Sequence, residues 1–150
     1  MRRTIDGIIA DQEIYHVNPQ RTVLETARFM AERNIGAVSV LDEDRLVGIV
    51  SERDLMKKVV AEGRDPATTH VEEVMSRRLV HGVLGDTYDA CISKMLEHGC
   101  RHLPIMEGDK LIGMVSIRDL YRVDATQKTE ELEAMTEYMY SSPKVSQGAN

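Results

Sequence analysis

Sliding the sequence by 65 positions lays Leu46-Val47-Gly48-Ile49-Val50-Ser51-Glu52-Arg53-Asp54-Leu55 on Leu111-Ile112-Gly113-Met114-Val115-Ser116-Ile117-Arg118-Asp119-Leu120. Seven of the ten pairs are identical, and Val47/Ile112 and Ile49/Met114 exchange one apolar side chain for another. Thr22, Met30, Glu32 and Asp44 fall on Thr87, Met95, Glu97 and Asp109, and a shift of 66 lays Ile5-Asp6-Gly7-Ile8-Ile9 on Val71-Glu72-Glu73-Val74-Met75. Self-similarity at a fixed period means that one supersecondary unit recurs, and that neighbouring units bury what neither can bury alone. One unit of about 60 residues is marginal, because a small domain removes too little surface from water. Two copies are expected to pack their sheets face to face and share one core. That arrangement encloses two clefts related by a pseudo-twofold axis and lined by corresponding residues.

Each copy reads the same way. Ile14–Val17 is a short strand closed by Asn18-Pro19. Thr22-Val23-Leu24-Glu25 has the form of a capping box, the Thr hydroxyl accepting an orphan amide and Glu25 reaching back. Val23, Ala27, Met30 and Ala31 recur at helical spacing, which predicts a helix over 23–33. Ala37–Leu41 and Leu46–Val50 are apolar strands joined through Asp42-Glu43-Asp44, a link short enough for a hairpin, and Ser51 opens a helix running through Lys57 and Val60. The second copy repeats the order with a strand at 79–83, a helix at 87–98, strands at 102–106 and 111–115, and a helix from Ile117. The expected fold class is α+β, two β-α-β-β-α repeats packed as a pseudo-twofold pair. The expected limits are 5–62 for the first repeat, 63–70 for a linker, 71–124 for the second repeat and 125–150 for a C-terminal helix and loose tail. In that last segment Leu132, Met135 and Met139 form one stripe, suited either to the chain's own module or to a second copy.

Composition excludes several classes of function. Lys and Arg number 19 against 25 Asp and Glu, a net charge of −6, so the basic footprint of a nucleic-acid binder is missing. With no Trp, one Phe and five Tyr, few rings are available to stack single-stranded bases. No apolar run approaches the roughly 20 residues that span a bilayer, so no membrane segment is expected. The start, Met1-Arg2-Arg3-Thr4-Ile5-Asp6-Gly7, lacks the apolar stretch of a signal peptide. Cys91 and Cys100 give no disulfide framework and read as reduced thiols. A cytoplasmic location is the expectation.

The doubled Gly-Ile-Val-Ser-Glu-Arg-Asp-Leu and Gly-Met-Val-Ser-Ile-Arg-Asp-Leu, following Asn34-Ile35-Gly36-Ala37 and Arg101-His102-Leu103-Pro104-Ile105, resembles the cystathionine β-synthase (CBS) domain family over roughly residues 5–123. Two such domains in tandem form a Bateman module, and a stand-alone pair with no attached enzyme, channel or transporter domain is the expectation. The resemblance implies adenine-nucleotide sensing, with AMP, ADP, ATP, NAD, NADH or S-adenosylmethionine bound between the repeats. It also implies a flat homodimer. In such domains the Asp holds ribose and the Ser contacts phosphate, which assigns these roles to Asp54 and Asp119 and to Ser51 and Ser116.

The residues support this and also have plainer readings. Ser-x-x-Asp is a helix cap, Ser at the N-cap and an acid in the first turn. The same geometry offers free amides and a dipole to an anion, and a carboxylate to two vicinal hydroxyls. Arg101-His102 is either a solvated strand entry or a phosphate clamp, since a guanidinium fork matches phosphate oxygens. Copy one has Gly36-Ala37 there, so the clefts are expected to be chemically unequal. Arg53 and Arg118 stand inside the motifs as further cationic candidates. Ile14, Ile35, Gly36, Ala37 and Leu79 are core or adenine-slot wall. His98, Cys100 and His102 are close in sequence, but Gly99 ends the helix between them, so no metal is expected. No G-x-S-x-G elbow, G-x-G-x-x-G or Walker loop occurs, so no enzyme is expected. The alternative function is a ligand-free interaction protein that binds a client through its helical faces.

Overall fold

Apolar segments of matching pattern fold into matching elements in the computed structural model, which describes residues 3–141. The order is α1 (Asp6–Ile9), β1 (His16–Val17), α2 (Val23–Arg33), β2 (Ala37–Asp42), β3 (Arg45–Ser51), α3 (Glu52–Leu55), a π turn (Met56–Val60), a 3-10 turn (Val71–Glu73), β4 (Gly82–Val83), α4 (Tyr88–His98), β5 (His102–Glu107), β6 (Lys110–Ser116) and α5 (Ile117–Ser141). Each repeat builds a three-stranded sheet, β1-β2-β3 and β4-β5-β6, with a parallel first pair and an antiparallel hairpin. This is the expected α+β architecture.

The caps show why the helices begin and end where they do. Thr22 Oγ1 accepts from the Glu25 amide and Thr87 Oγ1 from the Ala90 amide, both at 3.1 Å. Asn34 (φ 52°) and Gly99 (φ 65°) end α2 and α4 in the left-handed region, which only small or locally hydrogen-bonding residues enter readily. The expected box at Thr22 is half made: Glu25 does not reach back, and its carboxylate lies 3.5 Å from Arg21 Nε.

The core differs from expectation in a way that repetition alone could not reveal. Instead of one shared core there are two main clusters, one around Val38, Val40 and Val50 and the other around Leu103, Ile105 and Val115. Each receives the leading segment that precedes the other copy. Ile5 and Ile9 pack into the second cluster, while Val71 and Met75 pack into the first. Matching backbone bonds fasten the exchange: the Ile5 amide donates to Asp86 O at 3.0 Å and the Val71 amide to Arg21 O at 2.9 Å. Gly48 and Gly113 make room for it. A Cβ on Gly48 would collide with the Met75 side chain, and one on Gly113 would sit 2.8 Å from Ile9 Cγ2. The leading segments thus clasp the repeats together.

Two further differences concern helices. The helix after Ser51 is α only through Leu55; Ala61 then donates to Met56 O at 2.9 Å across five residues, and the wider turn buries Val59 beside Val23 and Val74. The C-terminal helix is not a separate element but the continuation of α5. Arg3 ties its guanidinium to Glu130 at 3.2 Å, while Leu132 and Met135 are 65% and 64% exposed, so these two side chains do not pack on the chain's own module. The Met139 side chain and the tail from 142 lie outside the described residues. No helix among the described residues is long and apolar enough to cross a membrane.

Candidate functional site

Strand β3 ends at Ser51 and β6 at Ser116, and both motifs close as full capping boxes. The Ser51 amide donates to Asp54 Oδ2 at 2.9 Å, the Asp54 amide to Ser51 Oγ at 3.2 Å, and the Ser51 hydroxyl to Asp54 Oδ2 at 3.1 Å. In the second copy the Ser116 amide reaches Asp119 Oδ2 and the Asp119 amide reaches Ser116 Oγ, both at 3.0 Å. The next amide of each helix is also taken: Glu52 donates to Gly36 O at 3.0 Å and Ile117 to Arg101 O at 2.8 Å. The Arg53 and Arg118 amides follow in the first turn, at the positive end of each helix.

Two clefts open at these caps, each about 660 Å3. That volume suits a small organic ligand. Each cleft is built from both repeats. The first combines Ser51, Arg53 and Asp54 with Val80 and the turn His98 to His102 of the other copy. The second combines Ser116, Arg118 and Asp119 with Ile14, Tyr15 and the turn Asn34 to Ala37. The pseudo-twofold relation therefore extends to the clefts, each having the cap of one repeat opposite the α-to-β turn of the other.

Arg101-His102 and Gly36-Ala37 are not divided between the clefts as their sequence positions suggest. Gly36, Glu52, Arg101 and His102 lie on the seam and line both; Ala37 is confined to the second. His102 Nε2 stands 3.2 Å from where a Cβ of residue 36 would be, so the glycine leaves room for the imidazole. Burial holds the His102 pKa below the usual value of 6.5, assisted by Arg101 and opposed by Glu52 and Asp119. Leu79 lines neither cleft, and its neighbour Val80 faces the first.

Residues without a motif complete the second cleft. The Tyr15 ring is held edge-on to Phe29, centroids 5.9 Å apart, with Arg33 5.4 Å from its centroid. Its hydroxyl donates to Glu13 at 3.0 Å, which raises its pKa. Gln12 pairs both amide atoms with the Met114 backbone, at 2.7 and 3.0 Å. Only the weak repeat alignment upstream of Asn18 could have hinted at these residues. His98, Cys100 and His102 share the first cleft, but among the described residues no three His, Cys, Asp or Glu side chains are arranged to hold a metal ion. Burial pushes the Cys100 thiol up, and Cys91 up to about 11, so both stay protonated near neutral pH.

Comparison with known proteins gives one consistent result. A family model described as the CBS domain matches residues 6–61 and 71–126. The CBS domain-containing protein YhcV of Bacillus subtilis is 35% identical over 108 residues, covering 72% of this chain and 76% of that protein. The solved structure of a protein with CBS domains from Burkholderia ambifaria aligns with a TM-score of 0.77 at 38% identity, covering 81% of this chain and 93% of the other. A CBS domain pair in complex with 5′-methylthioadenosine and S-adenosyl-L-methionine aligns with a TM-score of 0.77 over 85% of this chain and 99% of its own, and at 19% identity shares the fold.

Proposed function

Because this chain belongs to the CBS domain family as a tandem pair, we propose that it is a regulatory module that binds an adenosine-containing ligand in the clefts between its repeats. The observation that carries this reading is the make-up of each cleft. A carboxylate fixed by its cap, a serine hydroxyl and first-turn amides stand at a helix start, with Arg101 on the seam beside them. A carboxylate at that place accepts from two ribose hydroxyls, while the helix end and guanidinium take phosphate. The complex of a structural neighbour with 5′-methylthioadenosine and S-adenosyl-L-methionine supports the ligand class.

The module signals rather than catalyses: ligand alters the relation of the two repeats, and that change is read by a second copy or a client. The exposed Leu132 and Met135 on α5 favour self-association, and light scattering should give twice the chain mass at micromolar concentration. Thermal melting with AMP, ADP, ATP, NAD, NADH and S-adenosylmethionine tests the ligand. A compound that binds only the native state at a hundredfold excess over Kd stabilises it by about 2.7 kcal/mol. At least one member should raise Tm. A flat response to all of them contradicts nucleotide sensing and leaves the interaction protein as the better reading.

A further inference from the structure

The two clefts differ at the atom on which the proposed ribose contact depends. In both copies one carboxylate oxygen is spent on the cap, Asp54 Oδ2 on Ser51 and Asp119 Oδ2 on Ser116. The other oxygen takes no part in the cap. In the first copy it is engaged: Lys58 Nζ lies 3.1 Å from Asp54 Oδ1. The same ammonium donates to Val74 O at 3.0 Å, so two partners on different elements hold it in place. In the second copy the position equivalent to Lys58 is Val123, which carries no charge, and Asp119 Oδ1 has no partner among the described residues. The walls differ in the same sense. Tyr15 gives the second cleft a planar ring fixed by Phe29 and Arg33, where the first has the aliphatic Val80.

We infer that the module has one nucleoside site per chain, in the cleft of Asp119 and Tyr15, and that Lys58 is the specificity-determining residue that closes the other. This rests on the proposed adenosine function and adds its stoichiometry and place. Ribose in the first cleft would have to share Asp54 Oδ1 with an ammonium already held by carboxylate and carbonyl, or displace it. A half-exposed ion pair contributes up to about 1 kcal/mol, which is roughly a fivefold loss of affinity before the carbonyl contact is counted. Arg101 faces both clefts and remains available to the phosphate of the single bound nucleotide.

Calorimetric titration with AMP, ATP, NAD and S-adenosyl-L-methionine tests this on the whole chain. Wild type should bind one equivalent per chain tightly and any second at least about fivefold more weakly, and Asp119→Asn should weaken the tight site by about 10–150-fold, the loss of one charge-assisted hydrogen bond. Lys58→Val, which places the second repeat's residue in the first, should bind two equivalents. Adding Asp119→Asn to it should leave one. If Lys58→Val does not fold, Lys58→Met keeps the side-chain length without the charge and is expected to give the same result. Two equal sites in wild type, or one site in a folded Lys58→Val or Lys58→Met chain, overturn the inference while leaving nucleotide binding intact. No heat and no melting shift with any of the four compounds overturn the function itself.

Discussion

The two repeats share a backbone plan but solve the same positions with different chemistry. Arg21 and Phe29 make a cation–π contact at 5.0 Å; their counterparts Asp86 and Lys94 make an ion pair at 2.9 Å. The edge of β3 at Ile49 pairs with the backbone of Ser76, whereas the matching edge at Met114 pairs with the side chain of Gln12. Leu55 is half-buried and its counterpart Leu120 fully buried. What stays identical is what geometry demands: threonine and serine at caps, glycine where another segment crosses a strand, aspartate at the third helical position. Rim and cleft residues are free to diverge, and through them one module acquires two unlike halves.

That contrast can be broken by paired substitutions. The largest effect is expected from Leu120→Ala, which empties a fully buried site and should cost about 2–5 kcal/mol in urea unfolding. Leu55→Ala should cost clearly less, since part of that side chain is already in water. Equal losses would show that the two clusters are equally packed after all.

Next come the two crossing points. Gly113→Ala drives a methyl into the β-branched Ile9, whose Cβ is also 3.0 Å away, and should cost about 1–3 kcal/mol. Gly48→Ala meets the flexible Met75 side chain, which can move aside, and Ser76 O at 3.1 Å, a contact eased by a shift of a few tenths of an ångström, and should cost less. The reverse ranking in melting experiments would argue against the clasp formed by the leading segments.

The smallest effect concerns His102 on the seam. Its folded pKa is depressed, so the folded state favours the neutral ring, and the unfolded chain binds the proton first as pH falls. Stability from this group is present above 6.5, the unfolded value, and is lost as pH drops from there towards the folded value. His102→Gln should flatten the pH dependence of Tm in that window. A wild-type Tm that falls as pH rises through it would contradict the buried neutral imidazole.

Caps, hairpins and the pairing of clefts were legible because they depend on local chemistry: Thr22 and Thr87 begin helices, Asn34 and Gly99 end them, and Ser51 and Ser116 mark the mouths of the clefts. The exchange of leading segments was not legible. Aligning Ile5–Ile9 with Val71–Met75 shows two equivalent apolar pieces, but not which core each enters; that depends on contacts 50 or more residues away. The π turn after Leu55 escaped because its widening follows from burying Val59, a tertiary demand. Continuity of α5 escaped because Asp124 to Thr129 is polar and resembled a break between two elements. Within the clefts, Tyr15 and Gln12 belong to no repeated motif, and a shared seam cannot be seen in one dimension.

The most direct test of the account is to map, by nitrogen-15 NMR, the amides that AMP, ATP, NAD or S-adenosyl-L-methionine perturbs. The largest shifts are predicted at Ser116, Arg118 and Asp119, with Tyr15 and Arg101 next and Arg53 and Asp54 little changed. Shifts confined to the outer faces of α4 and α5, or equal in size at the two caps, would contradict it.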